Sequence, residues 1–261
     1  MIPGERFLRR LFEDAALAPR LRLLRLAGAL FVPSYRFKWP QLDWWKSEAF
    51  NHYLRQFGEL GMLNSDRKWM VYQLLRLVAN VPGDTAECGV YRGATSYLIC
   101  CANNQSRAGA KTHHLFDSFE GLSEPGPADG AHWTKGDLRC EMEMVQQALS
   151  HFDNLEFHPG WIPERFPDVA DRKFSFVHID VDLAEPTLAS MAFFYPRMQA
   201  GGIIVCDDYG ISTCAGATRA INEFLTDKPE RILSLPDGGG FLIAGVVTGD
   251  SARLENKAGS E

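Results

Sequence analysis

Two apolar runs of strand length, 174–179 and 203–206, each stop at a pair of aspartates, and a span of helix length separates them. The first reads F-S-F-V-H-I and delivers Asp180 and Asp182; the second reads I-I-V-C and delivers Asp207 and Asp208. A helix between two strands makes them parallel, because a parallel pair needs a crossover of a dozen or more residues. Parallel neighbours end on one edge of their sheet, so four carboxylates arrive together there. Like charges within a few ångströms raise each other's pKa and repel. A hard divalent cation, which prefers carboxylate oxygens, is the simplest compensation. If the first strand runs on, Asp180 and Asp182 point the same way, about 6.6 Å apart.

The same alternation extends upstream. Residues 85–88 form a short apolar strand holding Glu87, which turns at Gly89 and Gly93 into a helix over 94–102. A strand, a glycine turn and a helix N-terminus make a general nucleotide site. The spacing E-x-G-x-x-x-G matches neither a dinucleotide nor a triphosphate fingerprint. An acid beside the first glycine suits a cationic ligand, such as an amino-acid ammonium, better than a phosphate. A second strand, 112–116, closes at Asp117, 24 residues after Gly93; an acid near that separation can accept ribose hydroxyls. A long Gly/Pro loop, 120–137, carries His132, Trp133 and Lys135 as candidate acceptor contacts. A helix over 138–151 and a strand over 155–158 follow. Downstream come helices over 186–199 and 216–226, then strands over 231–235 and 241–247 in a hairpin. Strands alternating with helices, closed by a direct hairpin, predict a doubly wound parallel sheet with one antiparallel strand. His178, in the middle of an apolar strand, reads as a packed core histidine.

Residues 1–29 are basic and amphipathic, with six arginines against three acids and leucines at helical spacing. They predict a helical arm that packs on the core or on a second subunit in a homodimer; a peripheral membrane helix is the alternative. With the aromatic linker of 31–43 they make a first region, 1–43. Residues 44–80 read as a helical cover, 81–248 as the main domain and 249–261 as a polar tail.

Over 261 residues, 46% hydrophobic and 23% charged, the composition suits one α/β domain with extensions. A net charge of −6 speaks against a nucleic-acid partner, which calls for a net basic face. The six cysteines show no zinc spacing and read as reduced structural residues. Without a signal peptide or a run of ~18 apolar residues, the expected compartment is the cytoplasm.

Five motifs stand in order along the chain: E-C-G-V-Y-R-G (87–93), F-D-S-F-E-G-L (116–122), P-G-W-I-P-E-R-F-P (159–167), H-I-D-V-D-L (178–183) and G-G-I-I-V-C-D-D-Y-G (201–210). Together they resemble the macrocin O-methyltransferase family over residues 60–248. The resemblance implies the class I methyltransferase fold. That is an α/β architecture with a Rossmann-like seven-stranded sheet, parallel but for one antiparallel strand, flanked by helices and here preceded by an N-terminal helical extension. It implies methyl transfer from S-adenosylmethionine to a hydroxyl of a sugar or glycosylated natural product, with bound Mg²⁺. Carried over by motif, Asp180, Asp207 and Asp208 would hold the metal and Asp182 would be the general base. Glu87, Gly89, Tyr91, Gly93, Asp117, Ser118 and Asp180 would meet the cofactor. Where the family commonly has D-x-D-L-Y-E-S-T, this chain has Asp180-Val181-Asp182-Leu183-Ala184-Glu185-Pro186-Thr187. Ala184 in place of an aromatic bears on the acceptor side of the pocket, not on the metal. Two other classes share parts of the pattern. A metal-dependent hydrolase of a nucleotide-like ligand is disfavoured by Glu87 in the turn, and a non-catalytic cofactor-binding module by the intact Asp182.

Overall fold

The computed structural model describes residues 23, 27, 47–59 and 65–248. The chain divides into two compact units, Met1–Glu48 and Ala49–Glu261. Apart from Leu23 and Ala27, the expected arm and linker of 1–43 lie outside the described residues, and so do the dimer and membrane readings attached to them. The tail of 249–261 lies outside them as well. No helix among the described residues is long and apolar enough to cross a membrane.

The helical cover consists of α1 (Glu48–Gln56) and α2 (Ser65–Leu77). The second unit then alternates: β1 (Asp84–Cys88), α3 (Ala94–Asn103), β2 (His113–Asp117), α4 (Met142–Ala148), β3 (Leu155–Pro159), β4 (Phe174–Ile179), α5 (Ala184–Phe194), β5 (Met198–Cys206), α6 (Ala215–Phe224), β6 (Leu233–Ser234) and β7 (Gly240–Ile243). The seven strands lie in the order β3-β2-β1-β4-β5-β7-β6. From β3 to β5 every pairing is parallel, while β7 runs antiparallel to both β5 and β6. Strand order reverses between β1 and β4, and such a switch point opens a crevice beyond the strands' carboxyl ends.

All six residues of β4 are buried, as expected for a central strand covered by helices on both faces. Phe116, Phe166, Phe174, Phe194, Ile179 and Met191 pack in one core cluster. Leu115, Val145 and Leu149 pack with Val90 and Phe119 in another. In the cover, Tyr53 stacks on Tyr97 at 5.8 Å and its hydroxyl donates to the Ala94 carbonyl at 3.0 Å, which ties α1 to the start of α3.

Several boundaries differ from expectation. The helix foreseen over 138–151 shrinks to α4, because Leu138 sits at φ 62° and the preceding loop runs on. α5 stops at Phe194, where Pro196 enters a short 3₁₀ turn, and β5 starts five residues early at Met198. The most consequential correction concerns β4. It ends at Ile179, and Asp182 lies at φ 60°, so Asp180 and Asp182 are not successive same-face residues of a continuing strand.

Candidate active site

The crevice is built by backbone that keeps its ladder past the strand ends. Gly89 N–H donates to the Phe116 carbonyl, Asp180 N–H to Cys88 and Asp207 N–H to Ile179, each at 2.9 Å. Gly89 is at φ 82°, and a Cβ there would sit 1.7 Å from the Asp180 carbonyl oxygen. The turn after β1 therefore lies directly against the end of β4, an approach only glycine permits. Gly93, at φ 78°, opens α3.

Asp117 holds this turn in place. Its Oδ2 accepts from Val90 N–H at 2.7 Å and Tyr91 N–H at 3.1 Å, and its Oδ1 accepts from Phe119 N–H at 2.7 Å. Those bonds keep Tyr91 at φ 49°, an uncommon conformation for a residue with a side chain. Ser118 Oγ donates to the Gly121 carbonyl at 2.8 Å and accepts from Glu120 N–H at 3.0 Å. Both residues border the cavity, and both also order the loop that walls it.

Glu87 is buried in a polar network. Ser96 Oγ donates to its Oε2, and His178 Nδ1 lies 3.2 Å from its Oε1. Burial alone would raise its pKa, but His113 and His178 outweigh it and hold the carboxyl at about 2. His178 itself is fully buried, as expected, yet it bridges two acids: its Nε2 lies 3.5 Å from Asp207 Oδ1. Burial lowers its pKa, but Asp207 and Glu87 more than reverse this and lift it to about 9. The expected core histidine thus lies between two acids, Glu87 before the Gly89 turn and Asp207 in the carboxylate cluster, and both favour its protonated form.

The four carboxylates meet, but in two groups. Ligand atoms of Asp180, Asp207 and His178 lie within 4.8 Å of one another, and so do those of Asp182, Asp208 and Cys214. Asp208 Oδ2 accepts from Val181 N–H at 3.1 Å and Asp182 N–H at 2.7 Å, which fixes the left-handed turn at Asp182. Burial, and then the charge of Asp207, push Asp180 up to about 6. Burial and Asp180 push Asp182 up to about 7. Asp208 rises well above the usual carboxylate range, through burial and its three acidic neighbours. Asp207 goes the other way. Burial would raise it, but His178, Arg67 and Lys68 hold it below that range.

Sequence reasoning missed those two cations. Arg67 donates to the Asp207 carboxylate and, at 2.9 Å, to its carbonyl. Lys68 is buried and donates to Thr95 Oγ1 at 2.7 Å; burial lowers its pKa, but Asp207, Asp180 and Glu87 raise it further. The available signal was two adjacent basic residues on a helix with a broad apolar face. Removing one partner from a buried charge network typically costs about 3–5 kcal/mol. Lys68→Met is therefore expected to lower the unfolding free energy by about 3 kcal/mol, measured by denaturant titration of the metal-free chain. An unchanged midpoint would mean that Lys68 does not compensate the acids.

The cavity they share holds about 420 Å³, a size suited to a small-molecule site. His132 and Trp133 of the long loop line it, whereas Lys135 is exposed and does not. Trp161, Ile162 and Cys214 also line it and were not foreseen. Ala184, where the resembling family has an aromatic, donates its N–H to Asp129 Oδ1 at 2.7 Å.

Comparison with known proteins agrees with this architecture. At 30% identity over 152 residues, the chain is similar to the 8-demethyl-8-(2,3-dimethoxy-alpha-L-rhamnosyl)-tetracenomycin-C 4'-O-methyltransferase of Streptomyces olivaceus; the match covers 54% of this chain and 58% of that protein. It is 28% identical over 156 residues to the demethyldecarbamoylnovobiocin O-methyltransferase of Streptomyces niveus, covering 56% and 59% respectively. The chain thus spans less than two thirds of the length of these relatives. Among solved structures, the O-methyltransferase NovP superposes with a TM-score of 0.62 at 23% identity, covering 88% of this chain and 99% of that one. The calicheamicin methyltransferase CalS11 gives 0.62 at 17%, covering 82% and 97%. At these identities the likeness is one of fold. The family model described as Macrocin-O-methyltransferase (TylF) matches residues 62–229, more than half of the sequence. By that match the chain belongs to the macrocin O-methyltransferase family.

Proposed function

We propose that this chain transfers a methyl group from S-adenosylmethionine to a hydroxyl of a small sugar or glycoside, with a divalent cation, Mg²⁺, at the aspartate cluster. The observation that carries this reading is the meeting of four carboxylates at the ends of β4 and β5 with the Gly89 turn of β1, around one cavity. The relatives' names support the acceptor class: both are O-methyltransferases, and the tetracenomycin enzyme's name carries a rhamnosyl group.

The residues present fit both groups. For the donor, the Gly89 turn borders the cavity with bare backbone, held there by its close packing on the Asp180 carbonyl. Glu87 supplies a fixed negative charge beside it, and Asp117 keeps one of roughly four lone-pair positions beyond its three backbone bonds. For the cation, the donor set is oxygen-rich and under-compensated, as the raised pKa values of Asp180, Asp182 and Asp208 show. That is the chemistry a hard ion selects. Asp180, Asp207 and Asp208 would hold it, which requires Asp208 to reach across from the Asp182–Cys214 group and Arg67 to give up part of its hold on Asp207.

When bound, the sulfonium brings an already activated methyl, and the cation is a Lewis acid toward the acceptor hydroxyl. The protein's own work is to align, to exclude water and to move one proton. Asp182 takes the hydroxyl proton on its carboxylate. His132, Trp133 and Trp161 wall the acceptor side. Holding both reactants in one cavity supplies much of the acceleration.

The test is methyl transfer from labelled S-adenosylmethionine to a panel of deoxysugar glycosides, with and without Mg²⁺. EDTA is expected to abolish turnover and Mg²⁺ to restore it. Undiminished turnover after thorough demetallation would remove the cation from the reaction, and absence of S-adenosylmethionine binding by calorimetry would remove the donor.

A further inference from the structure

A second polar cluster lies on β2 and β3, and none of its side chains lines the active-site cavity. His114 on β2 and His158 on β3 share one face of the sheet, since His114 pairs with Glu156 and Phe116 pairs with His158. His114 is fully buried and His158 nearly so, its ring stacked 4.4 Å from that of Phe116. His114 Nδ1 and His158 Nε2 face each other at 3.1 Å. Glu156 Oε2 lies 3.3 Å from the first and 4.0 Å from the second. All three ligand atoms fall within 4.8 Å of one another.

The outer nitrogens of both rings are already committed. His114 Nε2 meets Asp84 Oδ2 at 3.3 Å, and His158 Nδ1 meets Asp168 Oδ2 at 3.2 Å. An ionised carboxylate only accepts, so these two nitrogens carry the ring protons. With the outer protons in place, the facing inner nitrogens have only a shared proton or a bound cation to bring them together at 3.1 Å, and Glu156 adds a third acceptor beside them. None of the hydrogen bonds among the described residues brings a donor into this trio from outside. Two imidazole nitrogens and a carboxylate oxygen within 4.8 Å of one another make a ligand set that a cation can satisfy.

The trio's edges of 3.1, 3.3 and 4.0 Å bracket the ~3.3 Å spacing of neighbouring ligands at tetrahedral bond lengths of about 2.0–2.1 Å. Carboxylates behind both rings are the usual support of metal-bound histidines, because they fix the tautomer and ring orientation. Two imidazoles and one carboxylate select a borderline divalent ion over Mg²⁺. Glu156 is exposed, which provides an entry route and room for a water as fourth ligand. From this geometry we infer that His114, His158 and Glu156 form a second metal site, for one Zn²⁺-class ion, separate from the aspartate cluster. It clips the edge strand β3 to β2 and, through Asp168, to the 3₁₀ turn Phe166–Val169 behind the wall that carries Trp161 and Ile162.

The test titrates Zn²⁺ into the full chain with Mg²⁺ in large excess, so that the aspartate cluster is masked. One equivalent of Zn²⁺ is expected to bind and to raise the melting temperature. Co²⁺ in its place is expected to show the intense visible bands of a four-coordinate ion. Glu156→Gln, at an exposed position that does not threaten folding, should remove those bands. Asp168→Asn keeps all three ligands but alters the support behind His158, and should weaken Zn²⁺ binding by about 10–100-fold. Absence of Zn²⁺ binding under Mg²⁺ overturns the site, and so does unaltered Zn²⁺ affinity in both variants, which would locate the ion elsewhere.

Discussion

Asp182→Asn is expected to lower methyl-transfer turnover by about 10²–10⁴-fold while leaving S-adenosylmethionine affinity within a factor of two or so. The substitution is isosteric, and the amide cannot take a proton from the acceptor. It should spare the backbone as well. Asp182 lies in the left-handed region at φ 60°, which asparagine tolerates better than most residues with a side chain. Its N–H, which donates to Asp208 Oδ2 at 2.7 Å, is retained. Asp182→Ala would combine loss of the base with strain at that φ, so asparagine is the cleaner probe. Calorimetry gives the cofactor affinity and a labelled-methyl assay the turnover. Near-normal turnover with intact binding would falsify the base assignment and leave Asp182 as a residue that shapes the turn.

Gly89→Ala should be the most damaging single-methyl change near the site. The added Cβ would lie 1.7 Å from the Asp180 carbonyl oxygen and 2.8 Å from its carbon. Both are backbone atoms held in the sheet, so neither can swing aside as a side-chain terminus would. A left-handed conformation for a non-glycine residue costs about 1–3 kcal/mol, and forced overpacking typically adds 1–3. A loss of about 3 kcal/mol or more in unfolding free energy is expected, together with loss of cofactor binding. Gly109→Ala is the matched control. It has φ 100° and nothing within 4 Å of the new Cβ, so it carries the conformational cost alone. Equal destabilisation of the two variants by denaturant titration would show that β1 and β4 can separate without penalty.

The arrival of four aspartates at one sheet edge was legible from the chain, because a strand–helix–strand span leaves few topologies open. The strands that carry them are bounded by apolar runs, and β4 occurs where it was expected. The direction of Asp182 was not legible. Whether a strand continues for two more residues depends on Asp208, 26 positions later, capping the Val181 and Asp182 amides. His178 shows the same divide. Its burial follows from its place in an apolar strand, but its raised pKa follows from Glu87 on β1 and Asp207 beyond β5.

By itself, then, the sequence determined the α/β alternation, the closing hairpin, the glycine turn with its acid, and the membership of the five ordered motifs in one family. All of these are encoded locally or by the order of segments, where periodicity and turn chemistry act. Tertiary structure alone decided how the carboxylates group, which cations answer them and where two distant histidines meet. Arg67 reaches Asp207 across 140 positions, and His114 reaches His158 across 44. Electrostatic compensation depends on separation in space, and nothing in a linear pattern reports that distance until the sheet has brought the strands together.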